Sequence, residues 1–267
     1  MTPAILEQWP LLLAGGFVVG LLVGLTGVGA GSLTTPMLIT GFGVPPAIAV
    51  GTDLLFASIT KASAAWRHER LGNVDWSILR PLMAGSIPGA LAVLAWLHVG
   101  KPDTEMLAKM IRSGLTLALL VSAAAIVFYP WIASHRIEIA PSHESGGKRT
   151  RSTIGLGAIL GCLVALTSVG AGAIGVVALI SLYPALIIRR VVGTDIVHAI
   201  PLTLVSGMGH LSLGNVDLWL LLALLAGSIP GIAIGSRATG QLSETVLRVL
   251  LACVLLVAAW MIFPTWT

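Results

Sequence analysis

Two short stretches combine glycines with hydroxyl side chains in a pattern that could bind an anion. They are TGVGAGS at Thr26–Ser32 and TSVGAGA at Thr167–Ala173. A helix that is interrupted inside a membrane leaves free backbone N–H groups, and the next helix presents the positive end of its dipole there. Both features attract negative charge, so each stretch is a candidate anion site.

The recurrence of this motif beside hydroxyl groups favours a binding site over glycines that only let helices pack closely. Thr34 and Thr35 follow the first stretch and offer further hydroxyls. The motif is not a phosphate loop, because it lacks the pattern GxxxxGK followed by Ser or Thr. It is not a dinucleotide fingerprint either, because it lacks GxGxxG. The predicted binding residues are Thr26, Gly27, Val28, Gly29, Ala30, Gly31, Ser32, Thr167, Ser168, Val169, Gly170, Ala171 and Gly172.

A repeated Gly-Thr-Asp triplet supplies ionisable groups. Asp53 and Asp195 each lie within an apolar segment, where a carboxylate is costly and usually functional. Removal from water disfavours the charged form of a carboxyl group, so either residue could carry a proton with or against an anion. Both are therefore predicted to couple transport to protons. Thr52 and Thr194, which precede them, are predicted to contribute to anion binding.

Basic residues near these aspartates leave structural explanations open. Each carboxylate could instead cap a helix or pair with a base, and Arg189 and Arg190 are near enough in sequence to serve Asp195. Lys61 lies on the same predicted helix as Asp53. It is predicted either to attract the anion or to extend its charge to the cytoplasmic interface.

The chain repeats its motifs in two halves. The Gly-rich motif returns after 141 residues, and three further motifs return after 142, so one residue is inserted between them. In an apolar chain, halves that share Gly-interrupted segments are typical of secondary transporters. The pairs are Leu25–Gly31 with Leu166–Gly172, Val50–Asp53 with Val192–Asp195, Leu71–Asp75 with Leu213–Asp217, and Ala84–Gly89 with Ala226–Gly231.

Composition places the chain in a lipid bilayer. It is 56% hydrophobic and 10% charged, whereas soluble domains carry about 25% charged residues. The net charge of +4 comes from basic residues between apolar segments, so no nucleic-acid partner is expected. The two cysteines, Cys162 and Cys253, lie in separate apolar segments, and neither a metal nor a cofactor is expected. No arrangement typical of a membrane enzyme is found in the sequence, and catalysis is not expected.

Five apolar segments in each half predict an all-α integral membrane protein. The first two of each half are short and meet at the Gly-rich break. The other three are long enough to span a membrane, which needs about 20 residues. The short pair forms either two tilted spans or a hairpin that enters and leaves on one side. Both arrangements give an odd number of crossings, which predicts two inverted-topology repeats. The repeats are residues 1–130 and 153–267, joined by a cytoplasmic linker at 131–152.

The distribution of positive charge supports this inversion and predicts both termini outside the cell. When the crossings are counted, most of the basic residues fall on one side of the membrane. The connecting segments on the other side contain only Lys101, and Lys109 and Arg112 lie just inside the segment that follows it. Basic residues favour the cytoplasmic side. The residues on that side are Arg67, Arg70, Arg136, Lys148, Arg149, Arg151, Arg189, Arg190 and Arg237.

Other polar residues are given structural roles. Asp75 and Asp217 each precede an apolar segment, which predicts helix capping. Pro88 and Pro230 lie inside long spans, where they bend a helix. His198 is not repeated in the other half, so it is not a candidate site residue.

The doubled Gly-rich break, the Gly-Thr-Asp triplet and the LGNVD and GSIPG motifs together resemble the TauE/SafE family of sulfite exporters, over about Leu11 to Phe263. The family's signature segments fall on Thr26–Ser32, Gly51–Asp53, Thr167–Gly172 and Gly193–Asp195. The resemblance implies a bacterial inner-membrane transporter that exports sulfite, sulfoacetate or a related organosulfonate. A passive anion channel and an uptake carrier for another small anion are the alternatives. The expected partners are the anion, protons and lipid, and self-association into a homo-oligomer is left open.

Overall fold

The computed structural model describes residues 8–26, 31–134, 146–238 and 243–263, and this part of the chain is built from ten α-helices without strands. The first half contains α1 (Trp9–Thr26), α2 (Gly31–Gly41), α3 (Pro46–Arg70), α4 (Trp76–Gly100) and α5 (Thr104–Ser134). The second half contains α6 (Gly146–Thr167), α7 (Ala173–Leu182), α8 (Ile188–Ser212), α9 (Leu218–Ala238) and α10 (Glu244–Ile262). The predicted all-α architecture with five helices in each half is confirmed.

Seven of the described helices are long and apolar enough to cross a membrane, namely α3, α4, α5, α6, α8, α9 and α10. Large apolar side chains such as Leu117, Ile159, Trp219 and Trp260 are exposed on the outside of the bundle. A surface of this kind matches lipid rather than water. The protein is therefore a multi-pass membrane protein. Helix α6 begins seven residues before the predicted start at Thr153.

The first helix of each half packs along the fourth helix of the other half. Gly16 and Gly20 of α1 lie against the backbone of Leu224 and Ser228 of α9, so these two helices run parallel. A Cβ atom at either glycine would overlap the facing backbone. Small residues that allow such close approach are the usual means by which helices associate in lipid.

The same contact recurs between α6 and α4. Gly157 lies against the backbone oxygen of Leu82, and Gly161 lies against that of Ser86. These positions correspond, residue for residue, to the contacts of Gly16 and Gly20 with α9. The glycines of α1 and α6 therefore serve the same purpose, which is to hold the first helix of each half against the fourth helix of the opposite half.

Helices α3 and α8 cross at the centre and run antiparallel. Gly51 of α3 lies against the backbone of Asn215, just beyond the end of α8, and Gly193 of α8 lies against the backbone of Asn73, beyond the end of α3. Neither glycine has room for a Cβ atom. Each half thus inserts the loop that follows its third helix against the third helix of the other half.

Side-chain hydrogen bonds fix these two loops. Thr52 Oγ1 accepts a hydrogen bond from the backbone N–H of Asp217 at 3.1 Å, and Thr194 Oγ1 accepts one from that of Asp75 at 2.9 Å. Asp75 caps α4 by accepting from the N–H of Ser77 at 3.1 Å. Asp217 caps α9 through the N–H groups of the second and third residues after it. The predicted capping roles of both aspartates are confirmed.

The short helix of each half turns back toward the start of its partner. The hydroxyl of Tyr183, which follows α7, lies 2.6 Å from Thr153 Oγ1 near the start of α6. In the first half, the ring of Phe42, which follows α2, lies against Gly15 of α1. The first two helices of each half therefore form an antiparallel pair, which is common to both arrangements that the sequence leaves open.

Apolar side chains fill the space between the helices in separate clusters. The largest joins both halves through residues such as Leu38, Phe56, Leu115, Leu224 and Leu255. A smaller cluster lies where α4 and α6 pack against α7 and α8, and it includes Leu82, Leu160, Leu179 and Val191. The ionisable residues discussed next lie in the interior of this apolar bundle.

Replacing Gly161 by alanine should destabilise the protein, because the added methyl group would overlap the backbone oxygen of Ser86. Overpacking of this kind costs roughly 1–3 kcal/mol. Gly155 on the same helix is the matched control, since nothing lies within 4 Å of the position its Cβ would take. Thermal unfolding in detergent should give a lower midpoint for Gly161→Ala than for Gly155→Ala. Equal midpoints would contradict the close contact of α4 with α6.

Candidate functional site

The two aspartates of the repeated triplet are buried in the interior where α3 crosses α8. Asp53 exposes 0% of its surface and Asp195 exposes 1%. Gly51 and Gly193, two residues before each aspartate, let the loop of the opposite half approach closely. Because buried carboxyl groups are unfavourable without polar partners, the surroundings of each indicate what it does.

Hydroxyl groups surround Asp53. Thr35 Oγ1 donates a hydrogen bond to Asp53 Oδ2 at 2.6 Å. The hydroxyls of Thr34 and Ser168 lie beside the same carboxyl group. Thr34 and Thr35 belong to the first turn of α2, and Ser168 belongs to the Gly-rich break of the second half. Asp53 therefore links elements of both halves.

Asp195 faces the equivalent turn of the second half, but the donors differ. Its Oδ1 atom lies so close to Gly175, in the first turn of α7, that a Cβ there would clash with it. Gly175 corresponds to Thr34, and the next residue, Val176, corresponds to Thr35. Each aspartate thus lies at the start of the short helix of its own half. Asp195 lacks the threonine hydroxyls that surround Asp53.

The Gly-rich break between α6 and α7 has an irregular backbone. Gly170 and Gly172 have φ angles of 135° and 136°, and Ser168 has a φ angle of 61°. A non-glycine residue in the left-handed region is uncommon, and such strain often lies at functional sites. Thr167 Oγ1 donates to the carbonyl of Leu163 at 2.7 Å and accepts from the N–H of Val169 at 3.2 Å, which ends α6 at this point.

Lys61 lies beside the break, within electrostatic range of the two carboxyl groups. It exposes only 7% of its surface, and its Nζ donates to the carbonyl oxygen of Ala171 at 3.2 Å. Its charge faces Asp195 and Asp53. Of the two positions predicted for Lys61, the structure places it inside the bundle and next to the break rather than at the cytoplasmic interface.

The arginines that precede Asp195 do not serve it. Arg190 Nη1 lies 3.9 Å from Asp75 Oδ2, at the exposed start of α8. The charged group that faces Asp195 is Lys61. The pairing with Arg189 or Arg190 suggested by sequence proximity is wrong, because the helix carries Asp195 inward while Arg190 stays at its end.

The structure brings together one part of the predicted binding residues. Thr167, Ser168, Val169, Gly170, Ala171 and Gly172 form the second break. Thr26 and Gly31 end α1 and begin α2, and Ser32 is half-buried in α2. Gly27, Val28, Gly29 and Ala30 lie outside the described residues. The hydroxyls of Thr52 and Thr194 accept bonds from the inserted loops, so they position the crossing of α3 and α8.

His198 is a buried polar residue that sequence reasoning did not select. Its Nε2 lies 2.7 Å from Ser86 Oγ on α4, and its ring faces Lys61. Phe56 stands at the equivalent position of the first half, so comparison of the two halves does not single out His198. The feature of the sequence that could have identified it is its position one helical turn after Asp195, within an apolar segment.

Several polar atoms of this cluster are buried without a hydrogen-bond partner among the described residues. They are Asp53 Oδ1, Asp195 Oδ1, Ser168 Oγ and His198 Nδ1. Unpaired buried polar atoms are costly, and their concentration around Lys61 is typical of a functional site. The cluster combines one ammonium group with two carboxyl groups, so it can bind an anion at Lys61 and protons at the aspartates.

Comparison with known proteins gives a consistent result. Residues 12–262 match the family described as "Sulfite exporter TauE/SafE". The "Probable membrane transporter protein YjnA" of Bacillus subtilis is 36% identical over 91% of this chain and 95% of its own length. The "Probable membrane transporter protein MJ0441" of Methanocaldococcus jannaschii is 27% identical over 92% of each chain. No solved structure matches significantly.

Replacing Thr35 by valine should destabilise the protein by about 1–3 kcal/mol, because it removes the donor to a buried carboxyl group. Thr40 on the same helix is the matched control, since its hydroxyl bonds only the carbonyl of Pro36 at 2.8 Å. Unfolding midpoints in detergent are the measurement. A Thr40→Val protein as strongly affected as Thr35→Val would show that the bond to Asp53 has no particular importance.

Proposed function

The chain belongs to the sulfite exporter TauE/SafE family, and we propose that this transporter moves sulfite, sulfoacetate or a related organosulfonate out across the cytoplasmic membrane. The observation that carries the proposal is the position of Lys61, bound to the break at Ala171 and facing Asp53 and Asp195. The outward direction rests on the description of the family.

An ammonium group next to an interrupted helix is suited to a small oxyanion. Lys61 is the one buried lysine or arginine in the described part of the chain. Ser168 Oγ lies in the same cluster without a described partner and can donate to an anion oxygen. The first turn of α7 adds the positive end of a helix dipole. Sulfite and sulfonate groups present several oxygens that can accept these hydrogen bonds together.

The balance of charge supports coupling to protons. With Lys61 charged and both carboxyl groups ionised, the cluster carries one excess negative charge. An added anion increases this excess, which is unfavourable in a closed site of low polarity. Protonation of Asp53 or Asp195 offsets the charge of the anion, so the anion and a proton are carried together, and export follows the outward gradient of the anion. A single Asp→Asn change leaves the other carboxyl group to take the proton.

We propose that the two halves are inverted repeats with both termini outside. The antiparallel crossing of α3 and α8 supports inversion, because these are equivalent helices that both have the length of a membrane span. The clustering of basic residues gives the orientation. Transport would then expose the central cluster alternately to each side as one hairpin moves against the opposite half.

A carrier accounts for the central residues better than a passive channel. Fixed carboxylates in an anion pore would repel the permeant ion, whereas in a carrier they can be neutralised by protons. The central cluster is also closed within the bundle, since Asp53, Asp195 and Lys61 are all buried. An uptake carrier for another small anion would use the same residues, so substrate and direction are tested together.

Proteoliposomes loaded with radiolabelled sulfite should release it, and external sulfoacetate should accelerate release by exchange. Lys61→Gln should reduce this flux at least about tenfold, because removal of one partner of a buried charge pair costs about 2–5 kcal/mol of binding free energy. Lys109→Gln is the matched control, since Lys109 is exposed and paired with Glu105 at 2.9 Å. Sulfite release that is unaffected by the Lys61 change, or equally reduced by the Lys109 change, would contradict the proposed site.

A further inference from the structure

The last turn of α6 contains a backbone carbonyl that its own helix does not bond. In a continuous helix, the N–H of Val169 would donate to the carbonyl of Ala165, four residues earlier. Here the N–H of Val169 donates to Thr167 Oγ1 at 3.2 Å instead. The bond before it, from the N–H of Ser168 to the carbonyl of Val164, is kept at 2.8 Å. A carbonyl released in this way inside a membrane needs a donor from elsewhere.

His210 supplies that donor. Its Nε2 lies 2.8 Å from the carbonyl oxygen of Ala165. A carbonyl oxygen only accepts hydrogen bonds, so Nε2 carries the hydrogen, and this fixes the tautomer of the neutral ring. His210 exposes 1% of its surface and belongs to the last turn of α8. A side chain of a central helix therefore completes the hydrogen bonding at the end of the interrupted helix.

The break is thus held at both ends by the two helices that cross at the centre. His210 of α8 binds it at Ala165, and Lys61 of α3 binds it at Ala171 through a hydrogen bond of 3.2 Å. Ser168, which belongs to the proposed anion site, lies between these two points in the chain. The position of its hydroxyl therefore depends on both contacts.

The loop that follows α8 fixes His210 in turn. The carbonyl of His210 accepts a hydrogen bond from the N–H of Asn215 at 2.9 Å, and the backbone of Asn215 lies against Gly51 of α3. Thr52 binds the N–H of Asp217 in the same loop. His210 therefore joins the crossing of α3 and α8 to the break.

The repeat places the same residue type at the equivalent point of the first half. His68 is equivalent to His210, and Gly24, near the end of α1, is equivalent to Ala165. His198, by contrast, occurs only in the second half. A histidine three residues before the LGNVD motif therefore belongs to the pattern that the two Gly-rich breaks share.

We propose that His210 is a positioning residue for anion transport, because its Nε2–H holds the carbonyl of Ala165 and so sets the position of the break that presents Ser168 to the anion. The inference rests on the proposed function, to which it adds a residue that acts without touching the anion. Loss of the donor leaves a buried carbonyl unpaired, which loosens the end of α6.

Methionine and glutamine at this position separate the hydrogen bond from packing, since their side chains have nearly the same shape and only glutamine has an N–H donor. Hydrogen–deuterium exchange is measured on the purified protein in detergent, for peptides that cover residues 164–172. Exchange should be about tenfold faster in His210→Met than in the unaltered protein, and His210→Gln should restore the slower rate.

The sulfite assay in proteoliposomes gives the second measurement. His210→Met should raise the KM for sulfite about tenfold with a much smaller change in maximal flux, because the break is misplaced in protein that is otherwise folded. His210→Gln should keep the KM of the unaltered protein. His98→Met is the matched control and should change neither measurement, since His98 lies in the last turn of α4 and is exposed.

The inference is overturned if His210→Met and His210→Gln give the same exchange rate and the same KM, or if His98→Met has the effect of His210→Met. It is also overturned if His210→Gln fails to keep the parent values, so the test stands even where His210→Met cannot be recovered. Hydrogen exchange requires no transport. An unaltered protein that carries no sulfite would contradict the proposed function and leave the exchange measurement valid.

Discussion

Two carboxyl groups and one ammonium group buried inside the bundle are the constraint on which the rest of the structure depends. Ionisable groups are expensive within a membrane unless they face one another or a polar cavity. Asp53 and Asp195 lie on helices of different halves, and Lys61 reaches across from α3 to the break of the second half. These groups come together only when the two halves are docked, so the site and the interface between the halves are one feature.

Close backbone contact is how the fold achieves this docking. The hydrophobic effect does not drive helices together in lipid, so packing and hydrogen bonds must do so. Gly51 and Gly193 let the inserted loops touch the central helices, and Thr52 and Thr194 bind those loops. The glycines of α1 and α6 likewise let the first helix of each half touch the fourth helix of the other half. An irregular break can then exist in the interior, because the opposite half covers it.

The repeated motifs were sufficient to predict the helical architecture and the capping by Asp75, because helix length, glycine spacing and capping are local properties of the chain. The partner of Asp195 was not predictable in this way. Sequence proximity suggested Arg190, but the structure brings Lys61 from the other half, and only the packing of α3 on α8 determines that contact. His198 was missed for a related reason, since comparison of the halves selects the residues that they share, and His198 occurs only in the second half.

The central claim is that the buried aspartates carry protons together with the anion. The most direct test imposes a pH gradient, without an anion gradient, across proteoliposomes and measures accumulation of radiolabelled sulfite. The account predicts accumulation on the alkaline side for the unaltered protein. It predicts none for the Asp53→Asn, Asp195→Asn double variant, which retains Lys61 to bind the anion. Accumulation by the double variant equal to that of the parent would contradict the account.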